Sequence, residues 1–160
     1  MGFHISALSV DEFSHLFGQD DEVLAKNGVR RVIADSNFGF PCRVSLQDAE
    51  IGESLLLLNY EHQPARTPYR SSHAIYVRER ASRARLAENE IPDVLKKRLL
   101  SVRAFDATGM MVDADVVDGQ QLDALIERLF ANDSAEYLHI HNARLGCYAA
   151  LVSRDYAEPK

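Results

Sequence analysis

Four consecutive leucines, Leu55-Leu56-Leu57-Leu58, stand between the turn residues Gly52-Glu53 and the polar pair Asn59-Tyr60. A short apolar run without alternation fits a strand covered on both faces, near the centre of a sheet. That strand, read over 53–60, constrains the stretch around it. Before it, Cys42, Val44 and Leu46 alternate with Arg43, Ser45 and Gln47, predicting a half-buried strand with Cys42 inward and Arg43 outward. Asp48-Ala49-Glu50-Ile51-Gly52-Glu53 is the turn between the two. After it, 61–72 is polar and contains Pro64 and Pro68, which reads as a loop, and a last strand follows at 74–78.

The flanking segments predict further elements. Ser9-x-x-Glu12 is a capping box opening a helix whose apolar stripe is Phe13, Leu16 and Phe17, stopped at Gly18. Asp20, Asp21 and Glu22 place negative charge at the start of a second short helix through Lys26, and Arg31 to Asp35 reads as a strand. The charged, alanine-rich segment 79–90 reads as a helix or a connection. Pro92 opens a short helix through Leu99, and 100–105 with 110–117 form a hairpin around Asp106-Ala107-Thr108-Gly109. Leu122, Leu125, Ile126 and Leu129 share one face of the clearest helix. Two strands, 136–142 and 147–154, follow, and 157–160 reads as a frayed tail. Strands outnumber helices and do not alternate with them, which predicts an α+β single domain over 1–160 with a mostly antiparallel, mixed sheet.

Composition narrows the function classes. An apolar content of 46% over 160 residues supports a packed core without disulfide or metal staples. The net charge of −6 argues against a nucleic-acid role, because phosphate binding needs clustered positive charge. The basic run Arg78-x-Arg80-x-x-Arg83-x-Arg85 is interleaved with Glu79 and followed by Glu88 and Glu90, so it reads as a solvated face. No apolar stretch approaches the roughly 18 residues of a membrane span, and the start of the chain lacks signal-peptide character, so a cytoplasmic location without membrane partners is expected. Neither a glycine-rich phosphate loop nor a Gly-x-Ser-x-Gly elbow is present.

Three groups of residues carry chemical potential. His139 and His141 are two apart on a strand and therefore face the same way, as a metal site needs, with Cys147, Cys42, His73 or His62 as the third ligand. Cys42 and Cys147, free thiols in a reducing compartment, would be nucleophiles if Arg43, Arg144 or an imidazole lowered their pKa, and core residues otherwise. The arginines Arg43, Arg70, Arg144 and Arg154, with Tyr69 and Asn142, would line a pocket for a carboxylate or phosphate if they converged; their alternative is pairing with the chain's own 24 acidic residues.

The run Phe40-Pro41-Cys42-Arg43-x-Ser45-Leu46-x-Asp48-Ala49-x-x-Gly52-Glu53, with Leu55 to Tyr60, Pro68-Tyr69-Arg70, Ile75 to Arg78 and Asn142-Ala143-Arg144-x-Gly146-Cys147-Tyr148, resembles the bacterial family called domain of unknown function 1203. The resemblance spans essentially the whole chain and departs from the family at Ser72-His73, where a Gly-Pro is expected. It implies a relative and supplies no activity. Two functions are therefore carried forward. The first is a binding or interaction domain that takes an anionic small molecule or peptide through Arg43, Tyr69, Arg70, Asn142 and Arg144, with no cofactor. The second is a thiol- or metal-dependent enzyme using Cys147, Cys42, His139 and His141. A homodimer without a ligand is the third, purely structural reading.

Overall fold

The computed structural model describes residues 2–154. The architecture is α+β: two antiparallel sheets and a few short helices. The strands are β1 (His4–Ser6), β2 (Arg30–Ile33), β3 (Ser54–Gln63), β4 (Ser71–Arg78), β5 (Leu99–Phe105), β6 (Met111–Asp118), β7 (Tyr137–Asn142) and β8 (Tyr148–Ser153). The helices are α1 (Asp21–Lys26), α2 (Asp93–Lys96) and α3 (Leu122–Phe130). Two compact units divide them. Residues 7–60 and 74–84 form one, and residues 2–6, 61–73 and 85–154 form the other, so the far ends of β3 and β4 count with the second. The predicted tail at 157–160 lies outside the described residues.

The first unit is built on the sheet β2-β3-β4, with the leucine strand in the middle as its pattern requires. Leu55, Leu56 and Leu58 are buried, and Leu56 and Leu58 pack with Phe13, Leu16, Leu24, Val44, Ile75 and Val77. The carboxylate of Asp20 caps α1 by accepting the Val23 N–H at 2.8 Å. Two expectations for this unit fail. The helix predicted from Ser9 is a pair of 3-10 turns, Val10–Glu12 and Ser14–Leu16, in which Ser9 Oγ accepts the Asp11 N–H at 3.3 Å. The alternating segment 42–46 is a turn: Leu46 adopts φ +50° and its N–H bonds the Cys42 carbonyl at 3.0 Å. In that turn Arg43 is buried rather than outward, and its guanidinium donates to the Pro41 carbonyl.

The second unit is built on a five-stranded sheet of order β1-β8-β7-β5-β6. One face of its centre carries Leu100, Val102, Ala104, Leu138 and Ile140, all buried. Helix α3 lies against β6 and buries Leu122, Leu125, Ile126 and Leu129, the stripe expected from its spacing. The opposite face of β5 and β7 carries Ser101, Arg103, Phe105, Tyr137, His139 and His141, because the register pairs Ser101 with His141, Arg103 with His139 and Phe105 with Tyr137. The segment 79–90 is a connection, without helix.

Candidate metal centre

His139 and His141 reach one face of the five-stranded sheet through the period of β7, and a third imidazole joins them. His62 lies on the final residues of β3, where the sequence reading had placed a loop. The polar composition of 61–63 conceals strand pairing, which continues to Gln63 with β4 beginning at Ser71. Side chains hold the segment within the second unit. Gln63 Nε2 donates to the Tyr137 hydroxyl at 2.9 Å, and Thr67 Oγ1 donates to the Gly109 carbonyl at 3.1 Å.

The ligand atoms of His62, His139 and His141 lie within 4.8 Å of one another, and all three residues are buried. A tetrahedral ion with metal–nitrogen bonds of ~2.0–2.1 Å holds its nitrogens roughly 3.3 Å apart, so closing the widest pair takes about 1.5 Å of side-chain movement. Aromatic rings wall the cluster. Tyr148 stacks on His62 with centroids 5.4 Å apart, and Phe105 and Tyr137 lie 4.9 and 5.3 Å from His139.

Hydrogen bonding settles the proton on one ring. His141 Nδ1 stands 2.9 Å from the Gly146 carbonyl oxygen. A carbonyl only accepts, so Nδ1 carries the proton and Nε2 keeps its lone pair, the arrangement by which metal-binding histidines are commonly oriented. On His62 and His139 the buried Nδ1 atoms have no hydrogen-bond partner. Leaving such atoms unsatisfied costs about 1–3 kcal/mol each, an expense that an ion bound through Nδ1 would remove.

Electrostatics keep the rings neutral. Burial, followed by the Coulombic effects of Arg103 and then His73, lowers the His62 pKa to about 4. Burial lowers His139 to about 3, helped by His62 and Arg103. Burial also lowers His141 to about 3, against the raising effect of its bond to Gly146, with Arg103 and the other two imidazoles adding to the depression. Three neutral nitrogen donors without carboxylate or thiolate suit zinc, copper, nickel or cobalt, whereas magnesium and calcium require oxygen ligands.

A family model described as a protein of unknown function, DUF1203, matches residues 39–154. The chain belongs to the DUF1203 family. Neither the curated proteins nor the solved structures contain a match.

Among the described residues neither Cys42 nor Cys147 joins the three-histidine group of this DUF1203 chain. Cys42 falls in the first unit, where its sulfur accepts the backbone N–H of Ser45 and of Arg78 at 3.4 and 3.3 Å. Cys147 is buried in the second, with Asn142 Nδ2 donating to its sulfur at 3.6 Å. Arg43 belongs to the first unit, whereas Tyr69, Arg70, Asn142 and Arg144 belong to the second. Arg70 pairs with Glu61 at 3.1 Å, Tyr69 lies edge-on to Phe105, and Arg144 is exposed in the turn after β7. Arg154 closes the end of α3, donating to the carbonyls of Ala135 and Asn132 at 2.8 Å each.

The sequence reading missed Arg103 and Tyr148. Arg103 shares its strand face with Ser101 and Phe105, a pattern visible in the sequence, but only the register with β7 sets it beside the histidines.

Proposed function

We propose that this DUF1203 chain is a metal-dependent enzyme that binds one zinc-class transition ion on His62, His139 and His141. One observation carries the proposal: three buried imidazoles converge, and two of them hold unpartnered nitrogens. Three protein ligands leave a fourth position open, which distinguishes a catalytic from a closed structural zinc site. An ion there would supply Lewis acidity and lower the pKa of a bound water, suiting hydrolysis or hydration. The histidine half of the thiol-or-metal reading is kept, and neither Cys42 nor Cys147 enters the cluster. The arginine-pocket reading gains less support, since Arg70 is paired with Glu61 and Arg43 is buried in its own turn.

Calorimetric titration of the metal-free protein with zinc and cobalt tests the proposal. One equivalent should bind, and His139→Gln or His141→Gln should weaken binding at least tenfold while circular dichroism stays unchanged. A folded protein that takes up none of zinc, cobalt, nickel or copper in the micromolar range would refute it.

A further inference from the structure

The charges around the three imidazoles are unbalanced. Arg103 lies half-buried on β5, its Nη1 3.5 Å from His141 Nε2 and its Nε 3.4 Å from Ser101 Oγ. Both contacts are long for hydrogen bonds, and a guanidinium has five N–H donors. Among the described residues no carboxylate is within ion-pairing distance of Arg103, although Arg31, Arg70, Arg78 and Arg128 all have one. The groups acting electrostatically on the imidazoles are Arg103, His73 and the rings themselves, and no carboxylate is among them. A divalent ion on the three neutral rings would therefore sit beside an unpaired guanidinium with nothing negative to offset either. Uncompensated charge away from water is costly, and a guanidinium fork matches two oxygens of one anion.

We infer that the site takes an oxyanion, one oxygen completing the metal coordination and the others held by Arg103, so that substrates are small molecules bearing carboxylate or phosphate oxygens. This rests on the metal reading above and adds to it the residue that selects the ligand. The anion neutralises the ion and Arg103 together, and the guanidinium aims it at the open coordination position. The Phe105, Tyr137 and Tyr148 rings around the histidines exclude water and strengthen both attractions.

The test uses the full chain loaded with cobalt, whose visible absorption reports the coordination sphere, titrated separately with acetate and inorganic phosphate. Saturable changes in the cobalt bands are expected, and the tighter of the two anions assigns the substrate class. Arg103→Met should keep cobalt uptake and lose 10- to 100-fold in anion affinity, and Arg103→Lys should recover part of that loss. Melting temperatures establish that each variant is folded; if Arg103→Met is not, the lysine variant is compared with wild type, and a loss of at least threefold is expected from the missing fork. Cobalt uptake with no anion response, or anion affinity within twofold of wild type in the folded variants, overturns this inference and leaves the metal proposal standing. If the folded protein takes up none of cobalt, zinc, nickel and copper, both are overturned.

Discussion

His141 Nδ1 donates to the Gly146 carbonyl across 2.9 Å, within a turn that Gly146 makes at φ +80°. The glycine thereby sets which nitrogen of His141 offers its lone pair. A Cβ at Gly146 would meet nothing within 4 Å, so Gly146→Ala is opposed by backbone conformation alone. The variant should lose about 1–2 kcal/mol of stability. Rotation of the carbonyl should also weaken metal binding, by about 10- to 100-fold as for other outer-shell partners. Denaturant unfolding and cobalt titration of the same preparation measure both.

Gly119 gives the opposite case. A Cβ there would stand 2.0 Å from the Leu95 carbonyl oxygen and 2.9 Å from that of Arg98, both backbone atoms that cannot turn aside. Gly119→Ala should therefore displace the entry to α3 and cost several kcal/mol, roughly 3 or more, with metal affinity following stability. Urea unfolding midpoints of the two alanine variants should rank Gly119→Ala well below Gly146→Ala.

The three buried histidines predict an acid-labile fold. Each imidazole is protonated near pH 6.5 when unfolded but only near 3–4 when folded. Between those values the unfolded chain binds more protons, so stability is fully present above pH 6.5 and declines as pH falls. The slope approaches about 1.4 kcal/mol per pH unit for each histidine. Urea unfolding from pH 7.5 to 4 should show this slope, and His139→Gln combined with His141→Gln should flatten it. Because the rings are already neutral, metal affinity should change little between pH 7.5 and 5.5.

Glu79 titrates in a lower window. Its carboxylate accepts from Arg31 Nε at 2.6 Å, from Ser54 Oγ and from the Gly18 N–H at 3.0 Å. The Arg31 bond is the largest cause of a pKa depressed from the ordinary 4.5 to about 2, and burial opposes it. A depressed carboxylate stabilises the fold above pH 4.5 and loses that contribution as pH falls toward 2. The gap corresponds to roughly 3 kcal/mol. Glu79→Gln should lose most of it at pH 7 and converge on wild type near pH 2, as followed by unfolding midpoints.

Cys42 and Cys147 should resist alkylation in the native protein and react only on unfolding, because they are 1% and 8% exposed. At Cys42 the two backbone N–H groups bonded to sulfur make substitution informative. Cys42→Ala leaves both donors unsatisfied and should cost about 2–4 kcal/mol, more than Cys147→Ala. Mass spectrometry after timed iodoacetamide exposure, with unfolding curves for the variants, checks both expectations. Fast native modification of either thiol would revive the nucleophile reading.

The sequence by itself determined what is local and periodic. Four leucines without alternation required a strand at the centre of a sheet, and β3 occupies the middle of its three. Helical spacing placed Leu122, Leu125, Ile126 and Leu129 on one buried face, and the period of two placed His139 and His141 side by side. Tertiary structure decided the rest. At 42–46 the alternation resembled a strand, but the chain closes a turn through Leu46 in a left-handed conformation. At 61–63 the polar residues resembled a loop, but pairing with β4 extends the strand and delivers His62 to the cluster. The position of Arg103 beside His141, 38 residues further on, depends on the register between β5 and β7, and His62 joins them from a strand of the other sheet. Hydrogen-bond pairing and burial fix that register, and local propensity does not encode it.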